Sequence, residues 1–117
     1  MRVIFLFAAL VAGTLAATGS SYAADEAPAL TLRNKQFVPN ELTVPAGVKV
    51  KLVVRNEDSV AAEFESYDLS REVVVAAQGQ VTIFIGPLKP GRYGFFNDFD
   101  RSMTGWIVAQ PAAADKK

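Results

Sequence analysis

The sequence predicts an all-β sandwich of seven or eight strands in one domain, residues 30–110, and three observations carry that expectation. Short runs rich in β-branched and aromatic residues are separated by turn residues about every eight to twelve positions, the spacing of a sandwich. Two of these runs alternate apolar and polar residues with the period of a half-buried strand. No stretch carries a helical period of useful length.

The first run is Leu30–Arg33, and Glu41–Val44 follows the breaker Pro39-Asn40. Pro45-Ala46-Gly47 then turns the chain into Lys49–Asn56. Here Val48, Val50, Leu52 and Val54 share one face, while Lys49, Lys51 and Arg55 face water. Asn56-Glu57-Asp58-Ser59 breaks the pattern before Ala62–Tyr67 and Arg71–Ala76. Gln78-Gly79 leads into Gln80–Gly86, where Val81, Ile83 and Ile85 oppose Thr82 and Phe84. The stretch from Pro87 to Gly91 separates this run from Arg92–Phe96, and Trp106–Gln110 is the last.

The ends carry a different signature. Arg2, the apolar run from Val3 to Ala12 and the small-x-small triplet Ser21-Tyr22-Ala23 form the pattern of a secretory signal peptide, residues 1–23, cleaved after Ala23. That apolar run is too short to span a bilayer. Residues 24–29 read as a leader and 111–117 as a disordered tail.

Without Arg2, eleven Lys and Arg face twelve Asp and Glu, so the charge balance offers nothing to nucleic acid or an anionic membrane surface. The chain has no Cys and no His. Disulfides therefore cannot staple it, which fits a β-sandwich in the bacterial periplasm better than a small disulfide scaffold. The same absence removes any nucleophile–base pair built on His or Cys, and no glycine-rich loop opens a helix to cradle phosphate.

Acidic residues carry the remaining chemistry. On a strand, Glu63 and Glu65 project from one face while Phe64 points to the other. Asp98 and Asp100 bear the same relation around Phe99 if that segment stays extended. Alternating acids on a strand are commonly a solvated face, which is the competing reading for Glu65 above all. Met103 has a rival role too, as a filler of apolar packing.

Four pieces in order and spacing resemble the cupredoxin-like superfamily: Phe37-Val38-Pro39-Asn40-Glu41-Leu42-Thr43-Val44-Pro45-Ala46-Gly47, then Asn56-Glu57-Asp58, then Gly86-Pro87-Leu88-Lys89-Pro90-Gly91-Arg92-Tyr93, then Met103-Thr104-Gly105. The resemblance implies a Greek-key β-sandwich. In that family's metal loop a Cys, a His and a Met follow one another; here Asn97 stands at the thiolate position, Asp100 at the imidazole position, and Met103 is kept. The first ligand position is occupied by Glu63. With Ala62-Glu63-Phe64-Glu65-Ser66 and Asp98-Phe99 added, the chain is similar to the periplasmic cupredoxin-like component of bacterial iron uptake systems that use a ferric-type permease.

The resemblance implies that the two acidic segments are neighbours, so that up to four carboxylates converge and raise one another's pKa unless a cation neutralises them. The expected metal site is Glu63, Asp98 and Asp100, with Glu65 and Met103 as contributors. Iron, Fe(II) or Fe(III), is the expected metal, and copper is not expected where thiolate and imidazole are missing. The implied partners are an iron permease and other periplasmic iron-uptake components, and the resemblance leaves open a ferroxidase-type oxidation before handover. Dimerisation around a shared ion also stays open. The alternative is a metal-free cupredoxin-like module with a structural role in a membrane transport complex. Arg101, Arg71 and Arg92 are all placed to pair with the carboxylates, Tyr67 and Tyr93 are placed to hydrogen-bond them, and the sequence does not choose among them.

Overall fold

Residues with unusual backbone angles mark where the strands must turn. Asn34 and Lys35 both have positive φ, 52° and 59°, which is the demand of a two-residue hairpin turn whose twist matches its strands. Asp58 holds that turn, its two carboxylate oxygens accepting from the Asn34 and Lys35 backbone N–H groups at 2.8 and 3.0 Å. The computed structural model describes residues 27–111. The expected signal peptide, residues 24–26 of the leader and residues 112–117 of the tail lie outside the described residues.

Among the described residues nine strands form two sheets, an all-β sandwich as the sequence predicts. They are β1 (Ala29–Arg33), β2 (Gln36–Val38), β3 (Glu41–Pro45), β4 (Val50–Asn56), β5 (Ala62–Ser66), β6 (Arg71–Val75), β7 (Gln80–Ile85), β8 (Gly91–Asn97) and β9 (Asp100–Gln110). One sheet has the order β2-β1-β4-β7 and the other β3-β9-β8-β5-β6. Two pairings are parallel, β1 with β4 and β3 with β9.

The count of nine, rather than seven or eight, comes from β2. Three residues are too few to show a period, and the Asn34-Lys35 turn that folds them back on β1 lacks the glycine that usually marks such turns. Strand β9 is also longer than the expected Trp106–Gln110, because its pairing with β8 continues to Asn97 opposite Asp100. Val48, expected on the core face, lies ahead of β4 and is 49% exposed.

The inward faces follow the alternation. Leu30, Leu32, Leu52, Val54, Phe64 and Ile107 are fully buried or nearly so. Phe37, Phe64 and Phe95 meet at the centre, with Phe37 edge-on to Phe95 at 4.8 Å between ring centroids and Phe64 tilted against Phe95 at 5.2 Å. Because Ala62, Phe64 and Ser66 point into this core, Glu63 and Glu65 are turned to the outer face of the five-stranded sheet. Buried polar side chains are matched to partners: Asn56 donates to the Val60 and Val75 carbonyls, and Ser66 donates to the Gly94 carbonyl at 2.6 Å.

Two glycines on neighbouring strands separate packing from propensity. A Cβ at Gly105 would meet the Phe95 ring and lie 2.7 Å from the Asn40 backbone oxygen. A Cβ at Gly94 would make only ordinary contacts, with the Trp106 ring at 3.5 Å and the Asp68 carboxylate oxygen at 3.6 Å. Gly105→Ala should therefore lower stability by about 1–3 kcal/mol or more, whereas Gly94→Ala should be neutral or mildly stabilising, as expected when a strand interior exchanges glycine for a side chain. Chemical denaturation of the two variants measures both.

Candidate metal centre

Strand β5 brings Glu63 and Glu65 to one outer face, and its hairpin with β6 places Glu72 directly across from Glu65. Carboxylate oxygens of Glu63, Glu65 and Glu72 all lie within 4.8 Å of one another; Glu63 and Glu65 are half-buried and Glu72 is exposed. The β8–β9 hairpin supplies the fourth acid. Its Asp98 N–H donates to the Glu63 carbonyl at 2.9 Å, so the Asp98 side chain reaches Glu63.

This arrangement shows in the acidity of Glu63, which is pushed up from 4.5 to about 7. Loss of water around the half-buried carboxylate is the largest cause, followed by the negative charges of Glu72, Asp98 and Glu65. Arg101 offsets part of the repulsion, its Nε and Nη2 both donating to Asp98 Oδ1 at 3.0 and 2.7 Å. The other two arginines are committed elsewhere: Arg71 donates to the Phe84 and Ser70 carbonyls, and Arg92 to the Glu41 carboxylate. Tyr93 donates to the Lys89 carbonyl, and Tyr67 packs on Phe96 at 5.3 Å.

Asp100 and Met103 go to a different place. Asp98 and Phe99 form the two-residue turn between β8 and β9, so the segment is not extended and the expected shared face of Asp98 and Asp100 does not exist. Asp100 instead lines a cavity of about 450 Å³ at the loop end of the sandwich, together with Asn97, Met103 and Lys35, and Glu63 is not among its walls. Two hydrogen bonds from Ser102, hydroxyl and backbone, hold the Asp100 carboxyl below the usual range. Met103 is buried, with its sulfur 3.4 Å from the Asn97 amide nitrogen.

Asn97 organises this junction. It is 4% exposed, and its Oδ1 accepts from the Glu63 and Phe99 backbone N–H groups at 2.9 and 3.1 Å while its Nδ2 donates to the Met103 sulfur. The structure thus unites Glu63, Glu65 and Asp98 of the expected site and leaves Asp100 and Met103 apart. Glu72 was not anticipated from the sequence. The signal for it was the register of the β5–β6 hairpin, since a four-residue turn at 67–70 fixes Ser66 opposite Arg71 and Glu65 opposite Glu72.

A raised Glu63 pKa sets the sign of a pH effect. Between 4.5 and about 7 the folded chain holds more protons than the unfolded one, so stability falls as pH rises through that window and levels off above it. Glu63→Gln should remove this contribution. Thermal unfolding of both proteins across the window should show a downward slope that is shallower in the variant; parallel curves would contradict the assignment.

The geometry can be set beside that of known proteins. The model of the cupredoxin-like domain matches residues 3–109. An uncharacterized protein of Rickettsia prowazekii (strain Madrid E) is 40% identical over 80 residues, 68% of this chain and 64% of that protein, so the chain spans less than two thirds of that relative's length. Among solved structures, amicyanin from Paracoccus versutus aligns with a TM-score of 0.58 at 15% identity, over 75% of this chain and 88% of amicyanin. A reduced Cu(I) form of an amicyanin variant at pH 4 aligns with a TM-score of 0.59 at 13% identity, over 78% and 89%. The purple cupredoxin from Nitrosopumilus maritimus gives 0.55 at 16%, over 71% and 99%. At these identities the likeness is one of fold. It nevertheless overturns the expectation that iron is the bound metal and copper is not: the cupredoxins that share this fold include a Cu(I) form, and nothing in the likeness points to iron. With a family match from residue 3 to residue 109 on a two-sheet sandwich, the chain belongs to the cupredoxin-like domain family.

Proposed function

We propose that this cupredoxin-like protein binds a divalent cation on the outer face of its five-stranded sheet, through Glu63, Glu65, Glu72 and Asp98. The observation that carries the reading is the convergence of three carboxylates within 4.8 Å, with Glu63 pushed to about 7 by its neighbours and its burial. Such a group is stabilised in its charged form by a cation more than by water. The sequence pattern of the signal peptide and the resemblance to a permease-associated component support a place in the periplasm beside a membrane permease, to which an exposed, open site hands its ion.

The choice of metal follows from the donors. A thiolate–imidazole copper centre does not fit this chain, which has neither Cys nor His. At the position of the thiolate the Asn97 oxygen already accepts two N–H groups and its NH2 faces the Met103 sulfur. The carboxylate face is a different kind of site, an all-oxygen one. It takes Cu(II) as well as Mn(II), and by the general order of divalent affinities Cu(II) binds more tightly.

Calorimetric titration of the mature, tag-free protein with Mn(II) and Cu(II) tests this. Both ions should bind, Cu(II) the tighter. Glu63→Gln should weaken Mn(II) by about tenfold or more, because it removes a full charge from the first coordination sphere. Glu57→Gln, at the exposed Arg33 ion pair, and Asp100→Asn, in the loop-end cavity, should leave Mn(II) affinity unchanged. Failure of the wild-type protein to take up either ion would instead support a metal-free structural module.

A further inference from the structure

We infer that Arg101 is the built-in counter-ion of the carboxylate face, occupying Asp98 until an incoming cation displaces it, and so sets the affinity of the site. The inference rests on the carboxylate-face reading and names a regulator of that same site. Arg101 spends two donors on a single oxygen, Asp98 Oδ1, so Asp98 Oδ2 is left unbridged by it. The guanidinium lies over the Phe96 ring, 5.4 Å from its centroid, and Phe96 in turn packs on Tyr67. That stacked surface gives the cation a resting place beside the acids.

Exposure shows which partner moves. The Arg101 side chain is 67% exposed and that of Asp98 is 30% exposed, so the guanidinium has open solvent to swing into while the carboxylate is held by its turn. An exposed ion pair of this kind contributes little to stability and separates readily. Arg71 and Arg92 are bonded elsewhere, which leaves Arg101 as the arginine that donates to this cluster among the described residues. A divalent ion entering between Glu63, Glu65 and Glu72 meets a positive charge that already holds the fourth acid. Binding then includes the work of breaking that pair and of bringing like charges together.

Calorimetry with Mn(II) on Arg101→Gln, Arg101→Lys and Asp98→Asn proteins tests the role. R101Q should bind Mn(II) about three- to fivefold more tightly than wild type at low ionic strength, with the difference shrinking as salt screens it. R101K keeps the charge beside the acids and should stay near wild-type affinity. In an Asp98→Asn background the R101Q gain should be smaller, since there is no ion pair left to break and only the repulsion between guanidinium and ion remains. Unchanged or weaker binding in R101Q, or an undiminished gain in the Asp98→Asn background, overturns the inference. Mn(II) binding that Glu63→Gln abolishes and R101Q leaves unaltered would refute the Arg101 role alone, whereas binding indifferent to Glu63→Gln would refute the carboxylate-face reading itself.

Discussion

The side-chain amide of Asn97 is the constraint on which the rest of the site depends. One buried oxygen joins two elements: it accepts from the backbone of β5 at Glu63 and from the β8–β9 turn at Phe99. Its amino group reaches the sulfur of Met103 on β9. Without this side chain, two N–H groups in a half-buried environment would lose their acceptor, at a cost of about 1–3 kcal/mol for each. With it, the turn is pinned against β5, and Asp98 is brought to the edge of the acidic face. A single neutral residue thereby shapes the surroundings of four charged ones.

What the Asn97 clamp assembles is under tension. Glu63 carries the strain of being partly dried and of facing three other acids, while in the loop-end cavity Asp100 accepts two hydrogen bonds from Ser102 that favour its ionised form. The two carboxyls, both expected in one site, have been given opposite environments. In the loop-end cavity, lined by Asn97, Asp100 and Met103, the Asp100 carboxylate already has its hydrogen-bond donors. The sheet face is where charge is left seeking a partner, with Arg101 alone among the described residues to answer it.

Much of this was legible in the sequence, and the parts that were not share a cause. Period-two alternation gave the inward set of β4, β5 and β7, and with it the outward direction of Glu63 and Glu65, because side-chain direction along a strand is a local property. Where the chain stops being a strand, that rule lapses. Asp98 and Asp100 were separated by a tight turn that their spacing concealed, and Asn97 drew that turn through an Asx-type hydrogen bond to Phe99. The short β2 was hidden for a related reason, a turn with two positive φ angles built from Asn34 and Lys35 rather than from glycine. Glu72 required knowing the register of a hairpin, which is a statement about two strands at once. Met103, expected as a contributor to the site with apolar packing as the rival reading, is buried in the core with its sulfur against the Asn97 amide.

The parallel pairing of β3 with β9 has a consequence for the history of each molecule. Glu41 lies beside Trp106, and Val44 beside Ala109, while β9 also carries β8 on its other side. The last of the described strands is thus an interior member of its sheet, flanked by one of the first described strands and by its own immediate predecessor. A chain emerging from its N-terminus can close the β1–β2 hairpin and pair β4 with β7, yet β3 must wait, its edge bare, until the final residues of the domain arrive. During that interval the acidic strand β5 can find β6 but not the turn that completes its face. The acidic face is therefore among the latest parts of the sandwich to be completed.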